Sequence, residues 1–192
     1  LTSTDLASLL ETVQAVLMSR HTTEITLEAG RPDTITEGKL QVAAALGVTR
    51  LSINPQSMNQ RTLEVIGRRH TPEMVRQSIE MARALQFKNV NMDIILGLPG
   101  ETISDLEKTL TEIRKIGPEN LTVHTLAVKR ASHLKEAKES FQMPAADVVE
   151  AMLPVAAEAA RGMHMHPYYL YRQKMMVSPL ENIGYARDGF DC

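Results

Sequence analysis

The stretch NVNMDIILGLPGET, residues 89–102, decides the fold. Val90, Met92, Ile94 and Leu96 alternate with Asn91 and Asp93, the period of a strand whose two faces meet different surroundings. Gly97, Pro99 and Gly100 then break the run, and Thr102 stands where a helix would begin. A carboxylate inside a strand that is otherwise apolar is costly unless it is paired or hydrogen-bonded. The first question is therefore what Asp93 holds.

Outward from this strand, the same unit recurs. EITLEA (24–29), RLSIN (50–54) and LTVHTL (121–126) read as strands, with amphipathic runs between them. In the first run Leu6, Leu9, Leu10, Val13, Val16 and Leu17 share one helical face, at spacings set by the 3.6-residue period. A second helix is expected to open at Thr34, with Glu37 at capping-box spacing. A third opens at Thr71 with Pro72 in its first turn, and turns Val75, Ile79, Ala82 and Leu85 to one side. A fourth opens at Thr102, turns Leu106, Leu110 and Ile113 inward, and stops at Gly117-Pro118. Residues 144–162 read as a helix with Pro154 as a kink or junction, and YYLYRQKMM (168–176) as a further strand. Strand–helix–strand repetition predicts a parallel sheet with right-handed crossovers. With no linker or low-complexity stretch, residues 1–192 are expected to form one domain.

The strand faces narrow the choice of α/β architecture. Ile25, Leu27, Leu51, Ile53, Val90, Met92, Ile94, Leu121 and Val123 belong against helices; Glu24, Thr26, Glu28, Ser52, Asn54, Asn91, Asp93, Thr122 and His124 point the other way. A doubly wound sheet has apolar residues on both faces, and a filled barrel has branched apolar residues in its lumen. A polar lumen predicts an open barrel around a polar or charged ligand. The candidate ligand residues cluster near strand C-termini: Glu28, Gln56 and Asp93, joined by Arg68, whose guanidinium suits a carboxylate. Two acids, an amide and a guanidinium match a ligand that carries both an amino acid and a sugar.

The totals exclude several classes. A net charge of −2 gives no electrostatic case for a nucleic-acid or membrane partner, and no apolar run approaches a membrane span. No signal sequence is evident, and the single cysteine, Cys192, rules out a disulfide framework or a Cys-rich metal site and fits a cytoplasmic setting. His164 and His166 share strand spacing but have no third ligand in view, and His70 reads as ordering a helix entry. The eleven methionines read as core filler.

EITLEAGRPDTIT (24–36), GVTRLSINPQSMNQRTLEVIGRRHT (47–71) and VNMDIILGLPGET (90–102) resemble successive blocks of radical S-adenosylmethionine enzymes, in particular the oxygen-independent coproporphyrinogen III oxidase group. HTLAVKRAS (124–132), PYYLYRQKMM (167–176) and LENIGYA (180–186) are similar to the branch called coproporphyrinogen dehydrogenase. The resemblance implies a partial (β/α)6 TIM-like barrel, its third to sixth strands followed by the start of the C-terminal region. It also implies that Glu28, Gln56, Arg68, Asp93 and Ala127 contact S-adenosylmethionine, with Arg68 on the methionine carboxylate. The family's C-x-x-x-C-x-x-C run, which holds a [4Fe–4S] cluster, and its Gly-Gly-Thr-Pro-Thr block are missing from these residues. Such a cluster needs three thiolates, so the chain is expected to be a piece that starts two strands late and is inactive alone. Its open edge at EITLEA is expected to favour self-association.

For the intact protein the resemblance implies that a reduced cluster cleaves S-adenosylmethionine. The resulting radical takes hydrogen from a propionate of coproporphyrinogen III, and carbon dioxide leaves to give a vinyl group, twice. Lys129, Arg130, Arg172 and Lys174 are propionate partners by charge alone. Two rival readings are a haem-binding chaperone of the same family and an unrelated barrel lyase with Glu28 and Asp93 as acid and base.

Overall fold

A computed structural model describes residues 1–127, 143–172 and 180–191. Its strands are β1 (Thr26–Gly30), β2 (Arg50–Gln56), β3 (Asn89–Leu96), β4 (Asn120–Thr125), β5 (His166–Tyr171) and β6 (Asn182–Ala186). They form one sheet in the order β1-β2-β3-β4-β6-β5. β1 to β4 are parallel, as the sequence repetition predicts, with register shifts between Glu28 and Gly30 and between Ile53 and Gln56. Among the described residues the sheet does not close, and β1 and β5 are its edges. Four parallel strands with helices outside them are the expected partial barrel.

One expectation of an all-parallel sheet is corrected at the C-terminal side. β6 pairs antiparallel with β4, and β5 pairs antiparallel with β6. The ten residues between Tyr171 and Asn182 fit an antiparallel β5–β6 pair, since a parallel return needs a crossover of a dozen or more residues. The β5 reading of YYLYRQKMM holds through Tyr171, and residues 173–179 lie outside the described residues.

The helices are α1 (Ser3–Leu17), α2 (Glu37–Ala45), α3 (Gln60–Val65), α4 (Pro72–Ala84), α5 (Ile103–Ile116) and α6 (Ala146–Gly162). α4 and α5 start as their sequences predict. Thr71 Oγ1 accepts from Met74 N, and Thr102 and Asp105 form a complete capping box. α5 ends at Gly117 with φ 67°. α2 starts later than expected: its N-cap is Thr36, while Thr34 closes a 3-10 turn over Pro32–Thr34. A proline just before the site favours that tight turn, and the turn consumes the threonine first in line. α6 runs through Pro154 without a break in its helical assignment.

The core lies between the apolar sheet face and the helices. Val90, Met92, Ile94 and Leu96 of β3 are all fully buried, with Leu51, Ile53, Leu121 and Val123 beside them. Val75, Ile79 and Ala82 of α4 and Leu106, Leu110 and Ile113 of α5 pack onto this layer. α1 behaves differently. Only Leu6 and Leu10 are buried, while Leu9, Val16 and Leu17 are 50%, 72% and 74% exposed. Its apolar stripe is wider than the surface the described residues offer it.

Two glycines let backbone and side chain approach closely. Gly97 has φ +80° and sits under α6, where a Cβ would lie 3.0 Å from Val149 Cγ2. Gly184 of β6 lies under the Tyr169 ring, where a Cβ would collide with Cε1.

Candidate functional site

The polar sheet face is a continuous hydrogen-bonded surface across the parallel strands. Asn54 Nδ2 of β2 reaches Glu28 Oε2 of β1 at 3.4 Å, and Ser52 Oγ donates to Asn54 Oδ1 at 2.8 Å. Asn91 of β3 is the hub. Its Nδ2 donates to Ser52 Oγ at 3.0 Å and to Asp93 Oδ1 at 2.6 Å, and its Oδ1 accepts from Thr122 Oγ1 of β4 at 3.0 Å. Asp93 Oδ2 lies 3.5 Å from His124 Nε2. Asp93 therefore holds Asn91 and faces His124, and its burial is compensated as polar burial must be. In-register pairing of the strands brings these alternate residues into rows, so the network follows directly from the sequence alternation.

The opposite, N-terminal end of this face is sealed. Arg50, 4% exposed, donates to Glu24 Oε2 at 2.8 and 3.0 Å and to the Phe190 carbonyl at 2.9 Å, and also bonds Asn120 Oδ1. Polar groups that are open to a ligand therefore lie at the C-terminal end of the strands, where barrels carry their sites.

Gln56 ends β2 with φ 67°, the left-handed region, and is buried. A non-glycine residue held there stores strain that the surrounding structure must enforce. The enforcing groups are visible. His70, fully buried, bonds the Pro55 carbonyl through Nε2 at 3.1 Å, so that nitrogen is the donor. Burial pushes the His70 pKa down, which keeps the ring neutral. The sequence reading has His70 ordering a helix entry; the bond seen is to the end of β2. On the other side, the Ser57 hydroxyl donates to Glu101, Met58 N donates to Thr109 Oγ1 at 3.1 Å, and Asn59 N donates to Ser57 Oγ at 3.1 Å. The loop after β2 is thus tied to the end of the GLPGE turn and to α5.

Arg68 lies near Arg31 and Asp33 of the loop after β1 and near His70. It is half-buried, and its side chain has no hydrogen bond or ion pair among the described residues. Burial lowers its pKa, nearby Arg31 adds to this, and Asp33 opposes it. Arg31 is itself occupied by an ion pair with Asp33. Arg68 is thus a guanidinium whose fork is available for an anion.

Glu28 is exposed at the end of β1, bonded only loosely by Asn54. It also touches a largely apolar cavity of about 260 Å3 with Leu6, Ala29, Ile35 and Lys39. Gln56, Arg68 and Asp93 do not line that cavity. Asp93 belongs to the polar face, Gln56 is buried beyond a register shift that sets it opposite Ile94, and Arg68 lies near Arg31 and Asp33. Ala127 follows β4 and is partly buried. Lys129, Arg130, Lys174 and Cys192 lie outside the described residues. Arg172 is paired with Glu181, and His166 with Asp188 at 3.2 Å. Among the described residues no group of three His, Cys, Asp or Glu side chains is placed to hold a metal, and no helix is long and apolar enough to cross a membrane.

Sequence reasoning put His124 on the polar face without a partner, and did not single out Ser57, Glu101 or Tyr171. Glu101 follows a turn and has no periodic signal. Its role needs Ser57 and Thr109 from elsewhere in the chain. It is 5% exposed, and burial raises its pKa above the ordinary 4.5 despite hydrogen bonds from Ser57 and Thr62. A raised folded-state pKa means the unfolded chain ionises first. The group's stabilising contribution is full below pH 4.5 and is lost as pH rises through the folded value. Glu101→Gln keeps an acceptor for Ser57 and removes the ionisation. Denaturant melts are therefore expected to show the variant gaining stability relative to the parent between pH 4 and pH 7; a constant difference across that window would contradict the buried-carboxylate assignment.

The comparisons with known proteins follow from this geometry. Residues 2–113 match the Radical SAM superfamily. The chain is 45% identical over 166 residues to the oxygen-independent coproporphyrinogen-III oxidase-like protein HemZ of Bacillus subtilis, covering 86% of this chain and 33% of that protein. It is 34% identical over 130 residues to the heme chaperone HemW of the same organism, covering 67% of this chain and 34% of that protein. The chain thus spans about a third of the length of these curated relatives. Its fold matches that of coproporphyrinogen III oxidase (HemN) from Escherichia coli with a TM-score of 0.80 at 20% identity, over 98% of this chain and 41% of that one. An open, mostly parallel sheet with one polar face, matched along more than half of the sequence, places the protein in a family: the chain belongs to the radical SAM superfamily.

Proposed function

We propose that the chain is the S-adenosylmethionine-holding part of a cytoplasmic oxygen-independent coproporphyrinogen III oxidase or dehydrogenase. The observation that carries this reading is Arg68, a half-buried guanidinium with no hydrogen-bond partner among the described residues, set near Arg31 and Asp33 of the loop after β1 and near His70, which bonds the Pro55 carbonyl at the end of β2. The residues fit the ligand. Arg68 holds the methionine carboxylate as a fork. Glu28 and Asp93 accept from the ammonium group and the ribose hydroxyls, Gln56 presents its amide from a fixed backbone, and Ala127 lies alongside. Membership of the radical SAM family leaves no support for an unrelated lyase that uses Glu28 and Asp93 as acid and base.

Bound S-adenosylmethionine supplies radical-generating chemistry in this family. A [4Fe–4S] cluster does not fit the residues present: the sequence has one cysteine, and a cluster needs at least three thiolates. The cluster ligands would come from sequence outside these 192 residues. The proposed substrate is coproporphyrinogen III, with propionates converted to vinyl groups and carbon dioxide released.

A second reading has its own support. The heme chaperone relative is 34% identical, so haem binding without decarboxylation is the competing activity. The test is an anaerobic assay of the full natural protein, reconstituted with iron and sulfide, given S-adenosylmethionine and coproporphyrinogen III. Conversion to protoporphyrinogen IX is expected. Tight haem binding with no decarboxylation would overturn the oxidase reading in favour of the chaperone.

A further inference from the structure

Asp93 has a second neighbour that links it to a distant part of the chain. His124 Nδ1 lies 3.1 Å from the Tyr171 hydroxyl, and Nε2 lies 3.5 Å from Asp93 Oδ2. The carboxylate chooses the tautomer. A proton on Nε2 faces negative charge, whereas a lone pair there would oppose it. Nδ1 is then the acceptor, and Tyr171 must donate. The order is Tyr171 O–H to His124 Nδ1, then His124 Nε2–H toward Asp93 Oδ2, with Asn91 Nδ2 on Oδ1 at 2.6 Å.

The hairpin is built to deliver that hydroxyl. Tyr171 and Tyr169 stack at 6.1 Å and 14°, and the His124 ring meets Tyr171 edge-on at 6.3 Å. Gly184 has no side chain where the Tyr169 ring crosses β6. Asn182, fully buried, accepts from Thr125 N at 2.7 Å and pins β6 to the end of β4. Asp93 lies inside the segment that matches the superfamily, residues 2–113, while His124 and Tyr171 lie beyond it.

We propose that His124 and Tyr171 are positioning residues for Asp93, so that the β5–β6 hairpin completes the ligand site of the parallel strands. This rests on the reading of Asp93 as an S-adenosyl contact. The two side chains do not touch the ligand. They fix the carboxylate before it binds, so that less side-chain freedom is lost on association.

The test is calorimetric titration of the 192-residue chain with S-adenosylhomocysteine, which has the same carboxylate, ammonium and ribose groups and needs no cluster. Tyr171→Phe and His124→Ala are each expected to weaken binding about 3–10-fold, with His124→Gln partly restoring it. In an Asp93→Asn background Tyr171→Phe is expected to have no further effect, because residues that act through one group are not additive. Nitrogen NMR of His124 is expected to show the Nε2–H tautomer, and to lose it in Asp93→Asn. If Asp93→Asn weakens binding but the Tyr171 and His124 variants do not, this inference fails while the S-adenosyl reading stands. If Asp93→Asn leaves binding unchanged, both fail. An Nδ1–H tautomer in the parent chain would also overturn the proposed order.

Discussion

Arg68→Ala is expected to cut the affinity for S-adenosylmethionine by roughly 30-fold or more, about the 2 kcal/mol expected of a charge-assisted pair. The guanidinium has no competing partner among the described residues, and the nearby Arg31 is taken up by Asp33. Arg68→Lys is expected to recover only part of the loss, since an ammonium keeps the charge and loses the planar fork. The ligand gives its own control. 5′-Methylthioadenosine has no carboxylate, and its affinity is expected to be the same for the parent and Arg68→Ala. Stability should move the other way. Arg68 is partly desolvated without a partner, so removing it is expected to leave the ligand-free chain as stable as before or more so. Equal loss of affinity for both ligands would remove Arg68 from the carboxylate.

Arg50→Met is the second large effect, and it acts on folding. Arg50 is 4% exposed and ties β2 to Glu24, to Asn120 of β4 and to the Phe190 carbonyl near the C-terminus. Its removal takes a donor from Glu24, Asn120 and the Phe190 carbonyl at once; Thr26 Oγ1 still serves Glu24 and Asn120 Nδ2 still serves the Phe190 carbonyl. Breaking a buried pair from one side costs about 3–5 kcal/mol. For a chain of this size that corresponds to a loss of roughly 6–20 °C in Tm. The proposed site lies at the other end of the strands, so ligand affinity measured where the variant is folded is expected to stay within a few-fold of the parent. A Tm change under 2–3 °C, against that scale, would show that water or other side chains replace these bonds.

The parallel strands were legible because alternation along a chain becomes facing rows in a sheet. Val90, Met92, Ile94 and Leu96 report one face, and Asn91 and Asp93 the other. The starts of α4 and α5 were legible because N-cap chemistry is local. What escaped was non-local. The antiparallel β6 is NIGYA, a short stretch with two small residues whose identity as a strand depends on β4 and β5 beside it. The α1 residues share one helical face in the sequence, yet the described residues bury only Leu6 and Leu10. The candidate site divides in the same way. Glu28, Gln56, Arg68 and Asp93 came from strand ends and from a family resemblance. Glu101 and the Asp93–His124–Tyr171 chain depend on contacts between residues 30 to 80 positions apart, which spacing along a sequence does not encode.

The claim that underlies all of this is that the polar face, at its C-terminal end, binds an S-adenosyl ligand. The most direct test is to titrate the isotope-labelled 192-residue chain with S-adenosylhomocysteine and follow its amide NMR signals. The account predicts one saturable site, with the largest shifts at Glu28, Gln56, Arg68, Asp93 and Ala127. It would be contradicted by no saturable binding, or by shifts confined to another surface such as the groove between α4 and α5 lined by Arg76, Arg83 and Glu112.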